Sequence, residues 1–183
     1  MANRFRADVI MLIRHPAAFV SSLKRKHWQF PFSNFLSQPQ LMENLPPSLQ
    51  QEIEAYAHSQ VDIVDQAILL WKVCHSHIRQ CQACYPEWMF VRHEDLSSDP
   101  LAGFGQLYDR LNLDLTPAIA AVILEHSSSS NPREAENNAT HVLKRNSQEN
   151  IKNWQNRLTP AEVDHIREQV EPIAKAFYSD ADW

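Results

Sequence analysis

Two short apolar runs and several segments of helical period organise the chain. Ala7 to Ile13 reads ADVIMLI, a continuous apolar run after Asp8 that Arg14-His15-Pro16 ends. Such a run is the pattern of a parallel strand buried on both faces. Pro16 suits the first turn of a helix, where its missing N–H costs nothing, and Phe19, Val20, Leu23 and Trp28 carry that helix over Ala17 to Trp28. Gln29 to Ser48 is irregular, aromatic and proline-containing, with short helices expected around Asn34 to Glu43; it reads as a surface excursion or a lid. Pro47 to Ala57 predicts a helix, and Val61 to Ala83 predicts a long one. In the long helix Val64, Ala67, Ile68, Trp71, Cys74, Ile78 and Cys81 share a stripe, and Tyr85-Pro86 stops it.

Trp88 to Val91 (WMFV) is a second short buried strand, followed by Arg92-His93-Glu94-Asp95-Leu96. Asp99-Pro100 caps a helix to Leu111 and Thr116-Pro117 caps another to His126. Ser127 to Ser147 is polar and loop-like, Gln148 to Arg157 reads as helical, and Thr159-Pro160-Ala161-Glu162 joins a capping box to a first-turn proline that opens a last helix through Phe177. The order strand, helices, strand, helices is the α/β crossover pattern. Two parallel strands alone expose their edges and faces, so either further strands lie elsewhere in the chain or the sheet is incomplete in it, and the isolated chain is expected to be marginally stable or to self-associate.

Composition narrows the chemistry. The 183 residues include only two glycines, Gly103 and Gly105, where an average composition would supply roughly a dozen. A Gly-rich phosphate loop, a dinucleotide fingerprint and a nucleophile elbow are therefore excluded from this stretch of chain. The length points to one domain. The net charge is −5, yet the first forty residues hold Arg4, Arg6, Arg14, Lys24, Arg25 and Lys26 against Asp8 alone. A cationic start on an acidic body fits a local anion site better than a nucleic-acid face, although Lys24 to Lys26 also reads as a solvated helix face. No apolar run reaches the length of a membrane helix, and Arg14 interrupts the only stretch resembling a secretory signal, which points to a soluble, cytoplasmic chain. Cys74, Cys81 and Cys84, odd in number and close together, are no disulfide framework. Asn138-Ala139-Thr140 is a glycosylation sequon by pattern alone.

The strongest candidate site is Arg14 at the carboxyl end of the first strand, followed at once by a helix with Ser21 and Ser22. Open α/β sheets bind ligands beyond the carboxyl ends of their strands, and an Arg fork with a hydroxyl there suits phosphate or sulfate. Arg14 also reads as a strand-end arginine paired with a carboxylate.

Ile13-Arg14-His15-Pro16-Ala17-Ala18-Phe19-Val20-Ser21-Ser22-Leu23 resembles the 3′-phosphate-binding segment of the sulfotransferases that use 3′-phosphoadenosine-5′-phosphosulfate, in which a strand ends in Arg and a Ser follows eight positions later. Phe90-Val91-Arg92-His93-Glu94-Asp95-Leu96 with Asp99-Pro100 is similar to that family's R-Y-E-D-L segment, with His93 at the usual Tyr, which in many members lies near the nucleotide. Asn146 to Thr159, centred on Trp154, is similar to its C-terminal region, where basic residues close over the 3′-phosphate. The resemblance implies a P-loop-NTPase-like α/β fold with an incomplete parallel sheet and many helices, here a single domain over residues 1–183 that lacks the family's N-terminal phosphosulfate loop. It implies metal-free transfer of a sulfuryl group from that donor nucleotide to a hydroxyl or amine on a small molecule or glycan, without nucleic acid or membrane partners. By the same resemblance Arg14 and Ser22 hold the 3′-phosphate, and Lys144 and Arg145, displaced by two positions from the family's basic pair, assist. No catalytic residue is assigned. A chain that binds nucleotide or a protein partner without turnover, or a helical interaction module, are the alternatives.

A metal set from Cys74, His75, His77, Cys81 and Cys84 is disfavoured, because positions 74 and 84 of one helix lie about 15 Å apart; core cysteines are the expectation. Glu94 and Asp95 suit capping or pairing with Arg92 better than acid–base work. His27, His58, His126, His141 and His165 are scattered in polar contexts. Of the aromatic residues, Trp28, Phe30, Phe32 and Phe35 form the one cluster suited to an acceptor pocket.

Overall fold

The computed structural model describes residues 7–134 and 143–183; the sequon at Asn138 and His141 fall outside them. The architecture is α/β, with a small parallel sheet and many helices. The described residues divide into two compact units, one of residues 7–14, 88–134 and 143–153, the other of residues 15–87 and 154–183.

In the first unit β1 (Ile10–Ile13) pairs in parallel with β2 (Met89–Arg92), Ile10 opposite Met89 and Ile13 opposite Arg92. Among the described residues the sheet has these two strands. The continuous apolar run of β1 predicted burial on both faces, and this is corrected: Ile10 and Leu12, which alternation places on one face, are 42% and 53% exposed, while Ile13 on the other is buried. Burial on both faces needs cover on both faces, which two strands lack. After β2 comes α6 (His93–Ser98), a helix not expected from the sequence, with Glu94 and Asp95 in its first turn where acidic groups favour the dipole. Next come α7 (Pro100–Arg110), capped by Asp99 through a bond from the Ala102 N–H, and α8 (Pro117–Ser127), capped by Thr116. α6 packs on α7, and α7 on α8. Gly103 is where α7 meets α6, since a Cβ there would lie 2.8 Å from Leu96 Cδ2.

The second unit contains α1 (Pro16–Lys26), α2 (Ser33–Leu36), α3 (Pro39–Glu43), α4 (Pro47–Ala57), α5 (Ile63–Cys84) and α10 (Pro160–Ala174). α1, α5 and α10 pack mutually, burying Val20, Trp71, Ile166 and Val170. Lys24 of α1 reaches Glu162 of α10 at 2.5 Å, and the other oxygen of Glu162 closes the predicted capping box with Thr159. The 29–48 stretch runs along the surface with its apolar side chains turned inward. Phe32, Phe35 and Leu45 join Leu49, Ile53, Leu69 and Val73 in a buried core, with Phe30 packed against it, whereas Trp28 is exposed. The proposed aromatic acceptor pocket is thereby removed, since its rings are already in contact with one another, Phe30 to Phe35 at 5.0 Å.

Two further expectations are corrected. Cys74 is exposed, and His75 takes its place on the buried stripe of α5, stacked on Trp71. Gln148 to Arg157 is not one helix: α9 (Ser147–Asn150) and a 3₁₀ turn at Asn153–Asn156 replace it. Among the described residues, no helix is long and apolar enough to cross a membrane.

Candidate functional site

The register of the sheet builds the site in the first unit. Because Ile13 pairs with Arg92, the next residues, Arg14 and His93, leave the carboxyl ends of neighbouring parallel strands side by side. Burial first, and then the positive charge of Arg14, push the His93 pKa below 6.5 against the opposing pull of Glu94. The imidazole is therefore neutral at pH 7. Its Nδ1 lies 3.5 Å from Ser97 Oγ and 4.0 Å from Glu94 Oε1. Arg92 reaches Asp95 at 3.7 Å, so the Glu94-Asp95 pair serves the start of α6, as the sequence suggested.

His93 forms part of the wall of a cavity of about 440 Å³ whose other walls include Leu12 of β1, Leu96 of α6, Phe104 of α7, and Val122 and His126 of α8. These walls are mostly apolar, with polar groups confined to the two imidazoles and the hydroxyls of Ser97, Ser127 and Ser147. A second cavity of about 570 Å³ shares Pro100, Ser127 and Ser147 with the first and is otherwise rich in hydroxyl and amide groups, including Ser129, Asn146 and Gln148. The pair offers one apolar and one hydrogen-bonding compartment with a common wall.

The basic segment before Trp154 lies against the C-terminal end of α8. The Arg145 N–H donates to the His126 carbonyl at 2.9 Å, and the Asn146 amide donates to the Ser129 carbonyl at 3.3 Å. The Lys144 ammonium pairs with Glu125, whose carboxyl it holds below the usual range through a hydrogen bond and its charge. Arg14, Lys144 and Arg145 thus belong to one unit, whereas Ser22 sits on α1 in the other, partly exposed. Its neighbour Ser21 is buried and donates to the Ala18 carbonyl at 3.1 Å, so the helix itself occupies that hydroxyl.

Sequence reasoning missed His126, Ser127, Phe104 and Leu12 as cavity walls. The available signal was weak: a His-Ser pair ending a capped helix, and an apolar strand residue with no strand to cover it. For metal, the described residues contain no group of three or more His, Cys, Asp or Glu able to hold an ion. In α5, Cys81 Sγ lies 3.6 Å from His77 Nε2.

A family model described as the sulfotransferase domain matches residues 4–177. No curated protein and no solved structure matches the chain. The family match takes in β1 with its terminal Arg14, β2 with the segment that follows, and the basic stretch before Trp154, so the chain belongs to the sulfotransferase domain family, a family of transferases.

Proposed function

We propose that the chain, as one sulfotransferase domain, binds 3′-phosphoadenosine-5′-phosphosulfate and takes part in moving its sulfuryl group to a hydroxyl or amine of a small molecule or glycan. The observation that carries this reading is the register that brings Arg14 beside His93 at the carboxyl ends of two parallel strands, with His93 on the wall of an apolar cavity. A cavity of about 440 Å³ is of the size that takes small ligands. Leu12, Leu96, Phe104 and Val122 suit the flat faces of a purine. The neutral imidazole of His93 offers a hydrogen bond to its edge without adding charge.

In this reading Arg14 presents its planar fork to the 3′-phosphate, the Ser22 hydroxyl adds a donor, and Lys144 and Arg145 supply further positive charge. In-line transfer depends on positioning and on charge placed where it develops, which is the work these side chains would do. A cytoplasmic location goes with this reading, supported by three cysteines that remain free.

Calorimetric titration with adenosine 3′,5′-bisphosphate tests it. Arg14→Ala is expected to weaken binding about 10- to 100-fold and Ser22→Ala about fivefold, from the loss of charge-assisted hydrogen bonds. A wild-type chain that does not bind, or an Arg14→Ala variant that binds equally well, overturns the reading. Sulfuryl transfer to a phenol and to a sugar acceptor then separates an enzyme from a nucleotide-binding chain without turnover.

A further inference from the structure

In the second unit, His15 is 2% exposed and enclosed by three aromatic rings. Trp154 stacks on it at 5.3 Å between centroids with 12° between planes, and Tyr178 and Trp183 meet it edge-on at 4.9 and 4.6 Å. Trp183 is itself held in place. Ser179 donates from its N–H and its hydroxyl to Asp182 Oδ2, at 2.8 and 2.9 Å, and the Trp183 N–H donates to the Asp180 carbonyl at 3.3 Å, folding Ser179–Trp183 into a closed turn. Arg167 of α10 pairs with Asp180, and its guanidinium lies 5.4 Å from the centre of the Trp183 ring.

His15 is also where α1 begins. Its carbonyl accepts the Phe19 N–H at 2.9 Å, the opening bond of the helix, while its side chain makes no capping bond. The start of α1 is therefore held by ring packing on His15 rather than by a side-chain cap. His15 follows Arg14 directly, and its helix carries Ser22.

We infer that Trp183 is a positioning residue for the anion-binding segment: its ring closes the cage on His15 and fixes the first turn of α1. The functional consequence rests on the donor-binding reading above; the structural content does not. The test is amide hydrogen exchange and bisphosphate titration on the full chain. Trp183→Ala is expected to speed exchange at the Phe19 amide about tenfold and at Leu69 and Trp71 in α5 less than about twofold, and to weaken bisphosphate binding about fivefold. Trp183→Phe, which keeps a ring in the cage, is expected to hold both near the wild-type values. If Trp183→Ala unfolds, Arg167→Gln loosens the ring's support with the cage still filled and carries the same local pattern at about threefold.

Exchange that rises equally in α1 and α5, a Phe19 amide that does not change, or a Trp183→Phe variant no better than Trp183→Ala overturns the inference. A wild-type chain that binds no bisphosphate removes the donor reading instead, and the exchange pattern still decides the role of Trp183.

Discussion

His75 makes the packing of the second unit measurable as a function of pH. Its ring lies on Trp71 with centroids 3.9 Å apart, it is 4% exposed, and its Nδ1–H donates to the Trp71 carbonyl at 2.9 Å. Burial pulls its pKa from 6.5 down to about 4, outweighing the hydrogen bond to Trp71, which pulls the other way. In the unfolded chain the imidazole takes up its proton near pH 6.5, whereas in the folded chain it stays neutral to about pH 4. The unfolded state therefore binds more protons in this window, so the contribution of His75 is full above pH 6.5, falls as the pH drops toward 4, and levels off below. At about 1.4 kcal/mol per pKa unit the loss amounts to roughly 3 kcal/mol. His75→Phe keeps a ring against Trp71 and removes the titration, at a pH-independent cost of about 1 kcal/mol for the lost hydrogen bond. Urea denaturation of both proteins at about pH 7.5 and about pH 4.5 should show the wild type losing roughly 2 to 3 kcal/mol more than the variant between the two conditions. Equal losses in the two proteins would refute the reasoning, because acid groups elsewhere act on both alike.

The two glycines of α7 should respond oppositely to the same change. Gly105→Ala meets nothing closer than 3.8 Å and is expected to gain about 1 kcal/mol from helix propensity. Gly103→Ala places a methyl 2.8 Å from Leu96 Cδ2 and 3.3 Å from Leu96 Cα, so an overpacking cost of about 1 to 3 kcal/mol cancels or exceeds that gain; equal stabilisation of the two variants in thermal melts would contradict the tight α6–α7 contact. Glu162→Ala removes both the return half of the capping box and the partner of Lys24, and urea titration should show a loss of about 1 to 2 kcal/mol, with Glu162→Gln retaining most of the cap.

Much of the fold was legible in the residues because local chemistry decides it. Pro16, Pro47, Pro100, Pro117 and Pro160 each open a helix where the sequence placed them, since the ring fits a first turn. Thr159 and Glu162 form the capping box that their spacing dictates. The two apolar runs pair in parallel, an arrangement that needs the long helical connection lying between them. α6 was missed because HEDLSS has no apolar period; its helix rests on acidic groups at the N-terminus and on contact with α7. Cys74 was placed on the stripe of α5 in preference to His75 because three and four residues on from Trp71 both lie near its face, and apolar character favoured the cysteine; the stacking of His75 on Trp71 decided otherwise.

The candidate site divides along the same line. The sequence by itself placed Arg14 at a strand end and Ser22 eight residues on, because both follow from local pattern and spacing. Tertiary structure alone decided that Arg14 acts on His93, that Phe104, Val122 and His126 wall a cavity beside them, and that Phe30, Phe32 and Phe35 fill a core instead of opening a pocket. Strand register and helix packing join residues distant along the chain, and no local period encodes which of them meet.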